Sequence, residues 1–201
     1  MHMNETLLPL IVFATVMCFT PGPNVVMVTA SAANHGFRRV IPHMLGITFG
    51  FAIMIMIVGV GLGGLALIDP RFQAALKWVG AVYLLYLAWR IANAAAGSKG
   101  ATVAKPIGFL EAALFQWVNP KGWVSALGAL ATFSTVGSDI WVQVSVITAV
   151  LAAACLASVV VWAAFGARIG QALKSPRGRL AFNWSMAGLL VASLVPVLYP
   201  A

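Results

Sequence analysis

Thr20-Pro21-Gly22-Pro23-Asn24 interrupts an apolar run that reaches from Leu7 to Val28, with Val12-Phe13-Ala14 before it and Val25-Val26-Met27 after it. Two prolines and a glycine break a helix, because each proline lacks a backbone donor and its ring crowds the preceding turn. In water such a stretch reads as a loop between two short elements. The rest of the chain excludes that reading: 62% of residues are hydrophobic, 8% are charged and the mean hydropathy is +0.98. This composition belongs in a bilayer, where backbone left unpaired against lipid is costly. A break at membrane depth is therefore buried in protein or faces a polar cavity, the arrangement by which transporters hold substrate. A second break, Trp117-Val118-Asn119-Pro120-Lys121-Gly122-Trp123, lies inside another apolar run.

Working outward from these breaks, about 20 residues cross a ~30 Å hydrocarbon core, so the chain holds roughly six spans and no sizeable soluble domain. The spans fall at about 7–29, 42–65, 78–96, 107–132, 140–165 and 180–199, the first and fourth being broken. A polar linker at about 98–106 separates repeat one (about 7–97) from repeat two (about 107–199). The second break follows the first by about a hundred residues, and the same step carries spans two and three onto five and six by hydropathy. Three spans separate the halves, so the second enters the membrane from the opposite side. The expectation is an all-α membrane protein, one membrane domain of six transmembrane helices in two inverted three-helix repeats. Gly46/Gly50 and Gly59/Gly63, each four apart, offer faces on which a neighbouring helix can approach closely. Met1 to Glu5 carries no basic residue of the kind that opens a signal peptide, so the first segment reads as a span.

The net charge of +8 and pI near 10.2 do not point to nucleic acid as a partner, because the basic residues sit in short connections between apolar runs. Connections after spans one, three and five hold Arg38 and Arg39; Arg90, Lys99 and Lys105; and Arg168, Lys174, Arg177 and Arg179. The other side holds only Arg71 and Lys77, so the positive-inside rule places the basic loops in the cytoplasm and both termini outside it. A half-inserted first span would put the amino terminus inside instead. Cys18 and Cys155 fall in apolar runs, with no disulfide framework and no metal-ligand spacing, and read as small buried hydrophobes.

At a broken helix one half ends in free carbonyls and the next begins with free amides. An amino acid suits both ends, its ammonium meeting carbonyls and its carboxylate meeting amides. Asn24 and Asn119 add side-chain amides at the two breaks. Lys121 is costly near membrane depth and reads either as a contact to a substrate carboxylate or as a side chain reaching the interface from a re-entrant turn. Glu111, the only acid inside a predicted span, reads either as an ammonium contact or proton carrier, or as an interfacial ion pair with Lys105 or Arg90. Asp69 and Asp139 read as caps or turns, His35 as a loop residue and His43 as interfacial.

Gly59-Val60-Gly61-Leu62-Gly63-Gly64 fits the dinucleotide fingerprint but follows no strand, and is read as helix packing. Asn183-Trp184-Ser185 fits the glycosylation pattern inside a span and is set aside. No nucleophile elbow, zinc-protease helix or paired carboxylates suggest an enzyme.

Thr20 to Asn24, Gly46-Ile47-Thr48-Phe49-Gly50, the stretch Lys77 to Arg90 and Asn119-Pro120-Lys121 together resemble the lysine exporter family, in particular its homoserine and threonine efflux branch. The resemblance covers the whole chain in the same order. It implies a bacterial inner-membrane protein that exports amino acids, driven by the proton-motive force, without cofactor or metal, and in some members a homodimer. Its motifs carry over to Pro21, Gly22, Pro23, Asn24, Asn119, Pro120 and Lys121. Pro42-His43 and Gly122-Trp123 depart from the commoner pattern and bear on which substrate fits. The function expected is amino-acid efflux in exchange for protons by alternating access, with substrate between the breaks. Export of a metal ion or other small cation is the nearest alternative, disfavoured by the lack of a ligand cluster and by Lys121. A non-transporting membrane scaffold is the alternative of another class.

Overall fold

Proline dictates where the helices of the first segment stop and restart. α1 (Met3–Phe19) ends before Pro21, and α2 (Pro23–His35) starts with Pro23 in its first turn, where the missing donor costs nothing. Gly22 between them is fully extended, and the two helices meet at 54°. The computed structural model describes residues 3–61, 70–94, 105–135 and 139–198. The chain continues through a 3-10 turn (Phe37–Val40) into α3 (Ile41–Gly59), then α4 (Pro70–Asn93), α5 (Phe109–Phe115), a 3-10 turn (Gln116–Val118) and α6 (Pro120–Phe133). α7 (Ile140–Ala172), α8 (Pro176–Ala192) and the short α9 (Val195–Leu198) complete it. The described residues are all-helical, as the sequence predicts.

Several boundaries differ from the sequence reading. The first segment stays helical through His35, so His35 ends a helix and is not in a loop; Gly36, at φ 83, makes the turn that other residues rarely adopt. α7 runs 33 residues, about 50 Å at 1.5 Å per residue, and carries Arg168 on the helix rather than in the following connection. Asp139 caps α7 by accepting from the amides of Trp141 (2.8 Å) and Val142 (3.4 Å). His43 is fully buried in the first turn of α3, with neither ring nitrogen meeting a protein partner. Asp69, Gly63, Gly64 and most of the linker lie outside the described residues.

Phe37–Gly59, Ala74–Asn93 and Ile140–Ala172 are each long and apolar enough to cross a bilayer, and the bent pair α1–α2 is so as one span. Phe109–Val118 and the 17-residue α8 are shorter than a full crossing. Leu8, Val82, Trp89, Leu110, Val124, Trp141 and Trp184 stand mostly exposed on outward faces, an apolar surface suited to lipid contact and too broad for water.

α7 is the long central element: α1, α2 and α3 pack along it, while α3 also packs on α5, and α4 on α8. Small residues set the closest approaches. The Gly46/Gly50 face seats α5, Gly46 against the Phe109 carbonyl and Gly50 against Ala113. Gly166 and Gly170 of α7, also four apart, seat α2 against the carbonyls of Thr29 and Ala33, a contact the sequence reading passes over. Any Cβ at these positions would meet backbone that has nowhere to go. The outcome is that α2 and α5, the helices on either side of the site, are held on rigid partners.

Candidate functional site

The second break repeats the construction of the first. Asn119, in an extended conformation, precedes α6, and Pro120 occupies the first turn as Pro23 does in α2. Counted from these prolines, Asn24 and Lys121 are equivalent, and Pro120 matches Pro23 rather than Pro21. The first intrahelical bonds are Val26 N–H to Gly22 O (3.0 Å) and Trp123 N–H to Asn119 O (3.3 Å). The amides of Asn24, Val25, Lys121 and Gly122 precede them and have no partner within their helices.

The fold brings the two breaks into contact. Lys121 lays its side chain across Gly22, whose missing Cβ would sit 2.7 Å from Lys121 Cδ, and its ammonium donates to the carbonyl of Thr20. A cation at the carbonyl end of α1 is favoured by the helix dipole. Asn24 and Gln116 join the breaks a second time: Asn24 Nδ2 donates to Gln116 Oε1 (2.8 Å), and Gln116 Nε2 donates back to Asn24 Oδ1 (3.2 Å) and to Ala112 O (2.9 Å). Gln116 is fully buried. Asn119 Nδ2 reaches Gln116 Oε1 at 3.4 Å, while Asn119 Oδ1 is buried without a protein partner.

These side chains wall a cavity of about 40 Å³, lined also by Cys18, Ser125, Cys155 and Ser158, room for on the order of three waters. Pro21, Gly22, Pro23, Pro120 and Lys121 border a wider hollow of about 380 Å³. Gly22, Pro23 and Lys121 line both spaces, so the Lys121 to Thr20 contact lies between them. Trp123, flagged in the sequence, donates its indole N–H to Trp117 O at 2.8 Å and braces the turn beneath α6.

Seven of the residues singled out in the sequence, Pro21, Gly22, Pro23, Asn24, Asn119, Pro120 and Lys121, thus gather at one place. Glu111 does not join them. It pairs with Arg90 at 2.5 Å, accepts from the Tyr83 hydroxyl at 3.0 Å, and is absent from the cavity wall. Arg90 also donates to Lys105 O at 2.9 Å. Gln116, which links both breaks, goes unnoticed in the sequence; its only signal is an amide three residues before Asn119 inside an apolar run. Asn183, set aside as a glycosylation match, is buried and exchanges two hydrogen bonds with Asn34 (2.9 and 3.2 Å), tying α8 to α2.

With this geometry in place, comparison with known proteins is decisive about ancestry. A family profile described as LysE type translocator matches residues 15–197. The chain belongs to the LysE type translocator family. Among LysE relatives, a cysteine/O-acetylserine efflux protein of Klebsiella pneumoniae is 32% identical over 188 residues, 92% of this chain and 93% of that one. A protein of the same description from Escherichia coli is 34% identical over 188 residues, 93% of this chain and 94% of that one. No solved structure matches the chain. LysE membership agrees with the family resemblance read from the sequence, and the relatives described above are named as amino-acid efflux proteins.

Proposed function

We propose that this LysE protein exports a small neutral amino acid across the bacterial inner membrane by alternating access, in exchange for protons, with substrate bound between the two breaks. The observation that carries the reading is the Lys121 ammonium of one break docked on the Thr20 carbonyl of the other. A substrate ammonium competes for that carbonyl, and its carboxylate takes the freed Lys121 and the unpaired amides at the starts of α2 and α6. Binding an amino acid therefore replaces the link across the breaks with one through the substrate. The 40 Å³ cavity has to widen for this, which couples occupancy to movement of the helices. Asn24, Gln116 and Asn119 supply the remaining polar contacts.

The architecture proposed is a single membrane domain of two inverted repeats, about 7–97 and about 107–199. It is supported by reciprocal packing, α1 on α7 matching α5 on α3, with α3 on α7 and α4 on α8 as self-matched pairs. Basic loops face the cytoplasm in this proposal. Glu111, which pairs with Arg90 between α5 and α4, is assigned to proton coupling in this proposal. The relatives named for cysteine and O-acetylserine efflux favour a substrate of that size, and a homodimer is proposed on the family resemblance, since the Gly46/Gly50 and Gly166/Gly170 faces are filled within the chain.

The test is uptake into liposomes containing the purified protein, with labelled cysteine, O-acetylserine, homoserine and threonine, under an imposed proton gradient. Accumulation of one or more, dissipated when the gradient collapses, is the expected result. No uptake of any amino acid by folded protein overturns the reading.

A further inference from the structure

The chain's two cysteines, separated by most of its length, meet on the wall of the central cavity. Cys18 lies one residue before the end of α1. Its backbone carbonyl accepts from the Ser158 hydroxyl at 2.8 Å, and its thiol points at the Leu151 carbonyl at 3.8 Å. Both partners are on α7. Cys155 lies between them, four residues after Leu151 and three before Ser158, on the same helical face. Cys18 is therefore held against the turn of α7 that carries Cys155, and both residues line the same cavity. Cys18 is half-buried and Cys155 fully so.

We propose that Cys18 and Cys155 form a dithiol modification site for low-molecular-weight disulfides, closing to an internal disulfide that ties the first break to α7 and halts transport. The Cys18 thiolate, the more accessible, attacks one sulfur of the small disulfide, releases one thiol and becomes a mixed disulfide. The Cys155 thiolate then attacks the Cys18 sulfur and releases the second thiol. The two protein thiols are oxidised, the small disulfide is reduced to two thiols, and the protons lost by the cysteines pass to the departing thiolates. The bond lies two residues from Thr20, so it fixes the carbonyl on which Lys121 docks to the longest helix of the fold. The halt of transport rests on the amino-acid efflux reading; the bond itself does not.

The purified protein is treated with 2,2′-dithiodipyridine, and the bond and the transport are read separately. Release of two thiopyridones per chain with none retained by mass, and a peptide joining α1 to α7, is the result expected for the bond. Two released with two retained, or cysteines that stay reactive to maleimide only after unfolding, overturns it. In liposomes, amino-acid counterflow falls to the protein-free level after treatment and returns with dithiothreitol. Cys18→Ser and Cys155→Ser chains are each compared with themselves before and after treatment: neither forms the internal bond, Cys18→Ser shows no halt, and Cys155→Ser retains one thiopyridyl group on Cys18 by mass. A wild-type chain that forms the bond yet keeps its counterflow overturns the lock, while a chain that forms it but shows no counterflow before treatment refutes the efflux reading instead.

Discussion

Gln116→Leu tests most sharply whether the two breaks act as a unit. The side chain is fully buried and makes two bonds with Asn24, one with Ala112 O and a long one with Asn119. Leucine of similar volume removes all four and leaves the amides of Asn24 and Asn119 facing each other without the group between them. Within membrane proteins a side-chain hydrogen bond averages about 0.6 kcal/mol, whereas a buried polar group left without a partner costs about 1–3 kcal/mol. Two stranded amides therefore set an expected loss of about 2–6 kcal/mol, toward the lower end because Asn24 is only half-buried. Gln116→Glu keeps an acceptor for Asn24 Nδ2 but sets a buried carboxylate against Asn24 Oδ1 and Ala112 O, so it destabilises at least as much as Gln116→Leu. The assay is unfolding in mixed micelles by detergent titration, paired with substrate affinity in liposomes. Gln116→Leu unchanged in both stability and affinity would refute the idea that this amide binds the breaks together.

The other expectations are independent of that one. Gly166→Leu pushes its side chain into the Thr29 carbonyl and destabilises by about 3 kcal/mol or more, seen as loss of the monodisperse peak in gel filtration; Gly188, with open space around it, accepts alanine with a gain of up to about 1 kcal/mol. A double-mutant cycle of Asn34→Leu and Asn183→Leu yields a coupling energy of about 1–2 kcal/mol for their reciprocal pair, and additive effects count against the α2 to α8 tie. Glu111→Gln alters stability by less than about 1 kcal/mol because its ion pair is partly exposed, yet it abolishes the response of uptake to an imposed proton gradient while substrate exchange continues. His43→Leu is tolerated within about 1 kcal/mol, since no hydrogen bond to a protein group is lost with the imidazole, as thermal melting will report.

The breaks were legible in the sequence because proline and glycine act locally: Pro23 and Pro120 fix the first helical residue wherever the chain goes next. Membrane placement was legible because composition is a bulk property. What escaped was anything decided by a partner distant in sequence. Gln116 reads as an ordinary polar residue until Asn24 is brought opposite it, and Gly166/Gly170 read as gaps until α2 fills them. Cys18 and Cys155 read as small hydrophobes for the same reason. Glu111 left two readings open in the sequence, and the structure places it beside Arg90 because α4 and α5 are neighbours through the 3-10 turn that ends α5. The ends of α2 and α7 were missed because Ser31, Asn34 and Arg168 carry polarity that on a helix faces a neighbour or the interface and does not stop the helix.

The most direct measurement of the central claim is amino-acid counterflow by Lys121→Ala in liposomes, with folding confirmed by gel filtration and with Lys174→Ala, remote from the cavity, as control. The account predicts that Lys121→Ala binds and exchanges no amino acid while Lys174→Ala matches wild type. Exchange by Lys121→Ala at the wild-type rate and affinity would contradict it and move the substrate away from the meeting point of the two breaks.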